Sequence, residues 1–194
     1  MARQIDEDVP VMALLRADLL RQHALLCGKA ATPPVGWRLW SGMFSPRFIP
    51  VLLCRLAYAL YHSRLRPFAK VVSLINFFVF GIEISVRCPI GPGLFLPHTQ
   101  GTVIGAWRIG SNATIFQGVT LGAKEIDFTY AAHSRPTLGD GVTIGSGAKV
   151  LGGIALDDNV RVGANSVVLT NISADLLVVG VPAHIARKRG ERSL

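Results

Sequence analysis

Aliphatic residues recur every six positions through the C-terminal half of this 194-residue chain. Ile84, Ile90 and Leu96 begin the ladder, Ile109, Ile115 and Leu121 continue it, and Leu138, Ile144, Val150, Leu156, Val162 and Val168 complete it. A period of six matches neither the helical repeat nor the alternation of a plain strand. It marks a solenoid, in which each short repeat buries its face only by stacking on the next. A triangular coil satisfies the pattern: each hexad makes one flat side, its first residue points inward, and its small second residue (Gly91, Gly110, Gly122, Gly139, Gly145, Gly163) permits the turn at the corner. Three hexads then make one coil, with coils about 4.8 Å apart as in parallel sheets. Roughly five coils are expected.

Two places break the count. Leu96 to Ile109 is thirteen residues where two repeats need twelve, and the slip surrounds Pro97-His98-Thr99-Gln100-Gly101. From Ala123 to Thr137 the ladder stops altogether. A solenoid can extrude chain without disturbing its core, so both interruptions are candidate functional segments.

Before Ile82 the pattern is helical. Asp8 is placed to cap a helix that opens with Val9-Pro10. Met12, Leu15, Leu19, Gln22 and Leu26 then follow helical spacing, with Arg16, Asp18 and Arg21 on other faces and Gly28 as the stop. Between Ala30 and Pro50, proline and glycine predict irregular connection, with Trp37 and Trp40 as packing anchors. A second helix is predicted from Val51 to Ser63 and a third from Pro67 to Phe80, ended by Gly81. The resulting division is a helical region over 1–81, the repeat region over 82–175 with its extruded loop at 123–137, and a basic tail over 176–194.

Charge and cysteine content narrow the function classes. The formal charge of +8 favours an anionic partner, with nucleic acid, a membrane surface and a phosphorylated small molecule all eligible. Nucleic acid has only that charge behind it, without an aromatic platform or recognised motif. Arg187, Lys188, Arg189 and Arg192 cluster near the C-terminus, either as a solvated tail or as a phosphate site. Cys27, Cys54 and Cys88 are odd in number and lack paired spacing, so neither a disulfide framework nor a zinc site is indicated. Met1 to Pro10 has no apolar leader, and a cytoplasmic location is the expectation. The most apolar stretches, Val51 to Tyr61 and Val71 to Ile84, are broken by Arg55, Asn76 and Glu83 and fall short of the ~20 residues of a membrane span. They read as buried helices, with monotopic membrane contact the lesser account.

Hexads such as Ile144-Gly145-Ser146-Gly147-Ala148-Lys149 and Val162-Gly163-Ala164-Asn165-Ser166-Val167 resemble those of the hexapeptide-repeat acyltransferases, whose fold is a left-handed parallel β-helix. Within that family the chain is most similar to the serine acetyltransferases, from Phe48 to about Arg189. Arg55-Leu56-Ala57, Gly81-Ile82-Glu83-Ile84, Gly93-Leu94-Phe95-Leu96-Pro97-His98, Gln117-Gly118-Val119-Thr120-Leu121-Gly122 and Gly180-Val181-Pro182-Ala183 carry the resemblance. The handedness comes from the resemblance alone.

That resemblance assigns chemistry. By itself His98 is open to a structural or a catalytic role, since an imidazole with an ordinary pKa near ~6.5 can take a hydroxyl proton and return it. It matches the family's general base in the motif His-x-x-Gly. Glu83 matches the acidic residue that orients that base, where aspartate is usual; a carboxylate on one ring nitrogen fixes the tautomer. The family's loop ends in Arg-His-Pro and contacts the acceptor. Here the triplet is Ser134-Arg135-Pro136 with His133 displaced, so His133 and Arg135 are the acceptor-binding candidates. Pro97 replaces an acidic residue expected just before the base. Ala123, Ser146, Gly147 and Ala164 match positions lining the coenzyme A groove, and Lys188 is placed to hold coenzyme A phosphates.

The resemblance therefore implies an acetyl-CoA-dependent O-acetyltransferase, with L-serine as acceptor and a sugar hydroxyl in polysaccharide biosynthesis as the alternative. It also implies a homotrimer with sites between neighbouring subunits and no metal. Zinc-dependent carbonic anhydrases share the fold, but His98, His133 and His184 lack spacing that would close a site. A non-catalytic trimeric scaffold is the third reading.

Overall fold

The computed structural model describes residues 9–28 and 34–188. Four helices precede the repeats: α1 (Val11–Cys27), α2 (Trp37–Ser41), α3 (Ile49–His62) and α4 (Arg66–Phe80), with one turn of 3-10 helix at Gly42–Phe44 after α2. Pro50 and Pro67 sit in the first turns of α3 and α4, where a missing N–H costs nothing. Gly81 ends α4 in the left-handed conformation (φ 62°), its N–H bonded to the Phe77 carbonyl.

The chain then winds into a three-sided parallel β-helix. The first side stacks β1 (Ile82–Ile84), β2 (Thr102–Ile104), β5 (Thr120–Gly122), β8 (Lys149–Leu151) and β11 (Val167–Val168). The second stacks β3 (Arg108–Ile109), β6 (Thr137–Leu138) and β9 (Ala155–Leu156). The third stacks β4 (Thr114–Ile115), β7 (Thr143–Ile144), β10 (Arg161–Val162) and β12 (Leu176–Val179) in parallel, closed by the antiparallel β13 (His184–Lys188). Five strands on the first side correspond to the five coils expected from the period.

Register turns the ladder into columns. Ile84, Ile104, Leu121, Val150 and Val168 stack on the first side, and Ile90, Ile109, Leu138, Leu156 and Ile172 on the second. Every hexad-spaced residue is 8% exposed or less. Ile104, absent from the period, fills the gap that the slip leaves, so the corner at 97–101 takes up the extra chain and the ladder resumes at Ile109. Ile172 and Val178 extend the buried columns past Val168, and Leu176–Lys188 folds back on the last coil, although the sequence reads it as a tail.

The corner glycines act differently from the sequence expectation. Gly91, Gly110, Gly139 and Gly145 do not have the left-handed backbone that would make them the turn; an added Cβ would meet the next coil at 2.7 Å or less. They permit close stacking. The turning residue is the fourth of the hexad, as at Gly147 (φ 71°) and Asn165 (φ 57°), positions that glycine and asparagine tolerate best.

The helical region docks on the first coil through the middle of the predicted apolar stripe and through buried charge that the stripe did not include. On α1 the buried residues are Leu15, Asp18, Leu19 and Gln22, whereas Met12 and Leu26 are at least half exposed. Asp18 accepts hydrogen bonds from the Gly93 and Leu94 amides (2.7 and 2.8 Å) and pairs bidentately with Arg55 of α3 (2.9 and 3.0 Å). Arg55 also donates to the Ile90 and Gly91 carbonyls, and Arg21 donates to those of Gly93 and Ala113. Periodicity missed this because Asp18 and Arg21 look like solvent-facing charges on a single helix. The predicted Asp8 cap lies outside the described residues; α1 begins after Pro10 without a side-chain cap. Trp40 packs against the core, but Trp37 is 76% exposed and anchors nothing. Helix α4, expected to be buried, covers only Ala69 and Asn76 and leaves most of its large apolar side chains exposed.

Candidate active site on one edge of the prism

The edge between the third and first sides carries His98. Its corner is pinned from below, because the Thr99 hydroxyl donates to the Phe80 carbonyl (2.7 Å) and the Gly101 amide to the Gly81 carbonyl (2.8 Å). Successive corners stack along the same edge: Gly118 N–H donates to Gln100 O, Gly147 N–H to Gln117 O, and Asn165 N–H to Ser146 O. Ser146, Gly147 and Ala164 thus lie on the edge that His98 heads, with a rise of about 4.8 Å per coil. His98 is exposed and its ring makes no hydrogen bond among the described residues. Gln117, between them, has a buried Oε1 without a partner among the described residues. Sequence reasoning used Gln117 only as part of a motif; its orphaned oxygen is visible only once the corners are stacked.

Glu83 sits at the centre of β1, facing outward between the inward Ile82 and Ile84 and in register with Val103. It lines a cavity of about 770 Å³ with Lys70 and Phe77 of α4 and with Asp127, Tyr130 and Arg135 of the extruded loop. Glu83 and His98 are not hydrogen-bonded to each other. Above Glu83 on the same face, Lys149 donates from Nζ to the Gly118 carbonyl (2.6 Å), which brings a cation to the His98 edge.

Ala123 opens the loop on a different edge from Ser146, so the sequence-predicted coenzyme A residues are divided between two edges. The Lys188 side chain lies outside the described residues, as do Arg189 and Arg192. His133 is exposed on a turn of 3-10 helix whose carbonyl abuts Gly153.

The loop is built around Asp127. Its carboxylate accepts from the Thr129, Tyr130 and Ala131 amides, the Thr129 and Ser134 hydroxyls and Arg135 Nε, all between 2.7 and 3.0 Å. The Thr129 and Ser134 hydrogen bonds, ahead of Arg135, hold the Asp127 carboxyl well below the usual carboxylate range. Arg135 also donates to Gly105 O and Asp127 O, and its guanidinium lies 4.1 Å from the Tyr130 ring centroid. Three of its nitrogens are thereby engaged, two by Asp127 within the loop and one by Gly105 beside β2, where the sequence left Arg135 free for an acceptor. A carboxyl with a depressed pKa stabilises its folded loop above the unfolded value, near ~3.9, and loses that contribution only as pH falls through the lower folded value. We therefore expect Asp127→Asn to increase amide exchange across 123–137 at neutral pH, while the wild-type loop stays protected at pH ~4. Unchanged exchange in the variant would show that the carboxylate does not brace the loop.

Burial pushes the Cys54 thiol up to about 11 and raises that of Cys88 as well, so neither supplies a thiolate at neutral pH.

Residues 135–170 match the family described as bacterial transferase hexapeptide (six repeats). The serine acetyltransferase of Staphylococcus xylosus is 44% identical over 138 residues, which is 71% of this chain but 62% of the relative, so the match spans less than two thirds of that protein. Among solved structures, the Brucella abortus serine acetyltransferase in complex with coenzyme A superposes with TM-score 0.77 at 30% identity, covering 92% of this chain and 68% of that one. The chain belongs to the serine acetyltransferase-like hexapeptide-repeat transferases. The Neisseria gonorrhoeae serine acetyltransferase in complex with serine gives TM-score 0.75 at 30% identity, covering 93% of this chain and 70% of that one. With them the coil is the left-handed parallel β-helix that the family resemblance implies.

Proposed function

We propose that the chain is an acetyl-CoA-dependent O-acetyltransferase in which His98 is the general base. The observation that carries the reading is the edge itself: an exposed imidazole heads a column of small, open corners at Ser146–Gly147 and Ala164–Asn165. An extended thioester laid along that column would bring its carbonyl to the imidazole. The likeness to a serine acetyltransferase solved with coenzyme A supports the same use of the groove.

His98 takes the proton from the acceptor hydroxyl as its oxygen attacks the thioester carbonyl. Backbone amides stabilise the tetrahedral oxyanion, and the proton passes from His98 to the departing thiolate. Glu83, on the neighbouring face and not hydrogen-bonded to His98 in the single chain, is assigned the orienting role by its match to the family's acidic residue. No acyl-enzyme is needed, in keeping with the raised Cys54 and Cys88 thiols. The working unit is a homotrimer in which a neighbour closes the groove.

L-serine is the first acceptor, on the strength of the family relatives. A sugar hydroxyl is the second, because Arg135 is engaged by Asp127 and Gly105 instead of standing open to a carboxylate. Incubation with acetyl-CoA and a panel of L-serine and nucleotide sugars, followed by thiol release, tests both. Turnover with serine selects the first acceptor, turnover with sugars alone selects the second, and none with either class refutes the proposed reaction.

A further inference from the structure

Helix α4 carries a surface that the proposed chemistry does not use. Ala69 and Asn76 face the protein, the latter through a hydrogen bond from Nδ2 to the Pro50 carbonyl (3.0 Å). At 3.6 residues per turn, Leu74, Phe78, Val71, Ile75, Phe68 and Val79 form one continuous arc on the opposite side. All six are exposed, Phe78 by 77% and Val79 by 63%. Such a contiguous patch marks an interaction surface.

Charge indicates what covers it. From Leu19 to Ile82 the chain has no Asp or Glu, while Arg64, Arg66 and Lys70 are exposed at the N-terminal end of α4 and along its flank. Leu65 adds a further exposed apolar side chain beside them. An apolar arc containing phenylalanines, with Arg64, Arg66 and Lys70 at its N-terminal end and flank and carboxylates (Glu83, Asp127) only across the cavity beside Leu74, has the composition of a helix that lies in the interface of an anionic bilayer. The helix does not cross: α4 is 15 residues, about 22 Å long against a hydrocarbon core of about 30 Å, and Gly81 turns the chain directly into β1. No single helix among the described residues is long and apolar enough to span.

We infer that the exposed face of α4 docks the protein peripherally on an anionic lipid surface, with Phe68, Phe78 and Ile75 inserted among the acyl chains and Arg64, Arg66 and Lys70 at the headgroups. Lys70, Leu74 and Phe77 also line the Glu83 cavity, so docking brings that cavity beside the bilayer. The inference does not depend on the proposed acetyl transfer.

Sedimentation of the full chain with vesicles of phosphatidylcholine, alone or mixed with phosphatidylglycerol, tests this. Binding is expected to the mixed vesicles only and to weaken as salt is raised. Replacing Arg64, Arg66 and Lys70 by glutamine should weaken it about fivefold per charge, roughly a hundredfold in all. Ile75→Glu with Phe78→Glu should abolish it while circular dichroism and sedimentation velocity stay unchanged. Three results overturn the inference: no binding to either vesicle, equal binding to both, or an oligomer that ignores vesicles and dissociates in the Ile75→Glu, Phe78→Glu variant. The last would show that a second copy covers the arc.

Discussion

Replacement of His98 by alanine is expected to lower acetyl transfer roughly 10²–10⁴-fold, the range for loss of a positioned general base. The test is clean because His98 is exposed and makes no side-chain hydrogen bond among the described residues, so its removal leaves no cavity and no orphaned donor among them. The corner that carries it is held by Thr99 and Gly101, which the substitution does not touch. Thermal unfolding should therefore be nearly unchanged while thiol release from acetyl-CoA collapses. Glu83→Gln, which keeps the side chain's size and removes its charge, should give a smaller loss because the base remains. A His98→Ala protein that turns over at the wild-type rate would remove His98 from the mechanism.

The largest expected effect on stability comes from Asp18→Ala. Asp18 and Arg55 are 0% and 4% exposed, and both are fully surrounded by partners on the first coil. Deleting the carboxylate strands a buried guanidinium and leaves the Gly93 and Leu94 amides unsatisfied, at a cost of about 3–5 kcal/mol. Removing both charges together, as in Asp18→Leu with Arg55→Met, should cost less than the sum of the single changes, because no unpaired charge remains. Urea unfolding of the two single variants and the double variant measures the coupling. Additive losses would mean that the pair does not act as a unit. A destabilisation below about 1 kcal/mol for Asp18→Ala would place the dock's strength elsewhere.

The repeat region was legible because its physics is one-dimensional. Each hexad needs one buried aliphatic residue, and the stack needs the same residue in every coil, so spacing alone locates the columns. The slip also pointed correctly to the 97–101 corner, although Ile104 escaped notice because the slip shifts it off the six-residue count. The corner glycines were found for an incomplete reason. Composition shows that a position must be small, but it does not separate a tight turn from a close approach by the next coil.

The helical region was less legible because its contacts are long-range. The α1 and α3 charges meet carbonyls and amides more than 30 residues away in sequence, and a helical wheel assigns them to solvent. In α4 the opposite occurs: an apolar sequence implies burial, yet only the narrow face carrying Ala69 and Asn76 is covered, Asn76 by its bond to Pro50 of α3.

By itself the sequence determined the solenoid, its coil number, the helix limits around α3 and α4 to within two residues, and the two interruptions. Those follow from local spacing and from turn and cap chemistry. Tertiary structure alone decided that His98, Ser146 and Ala164 share one edge, that Ala123 does not, and that Arg135 braces its own loop. The reason is that stacking converts sequence distances of 18 to 66 residues into a few coil rises, and which edge a residue joins depends on extra corner residues whose effect accumulates around the coil.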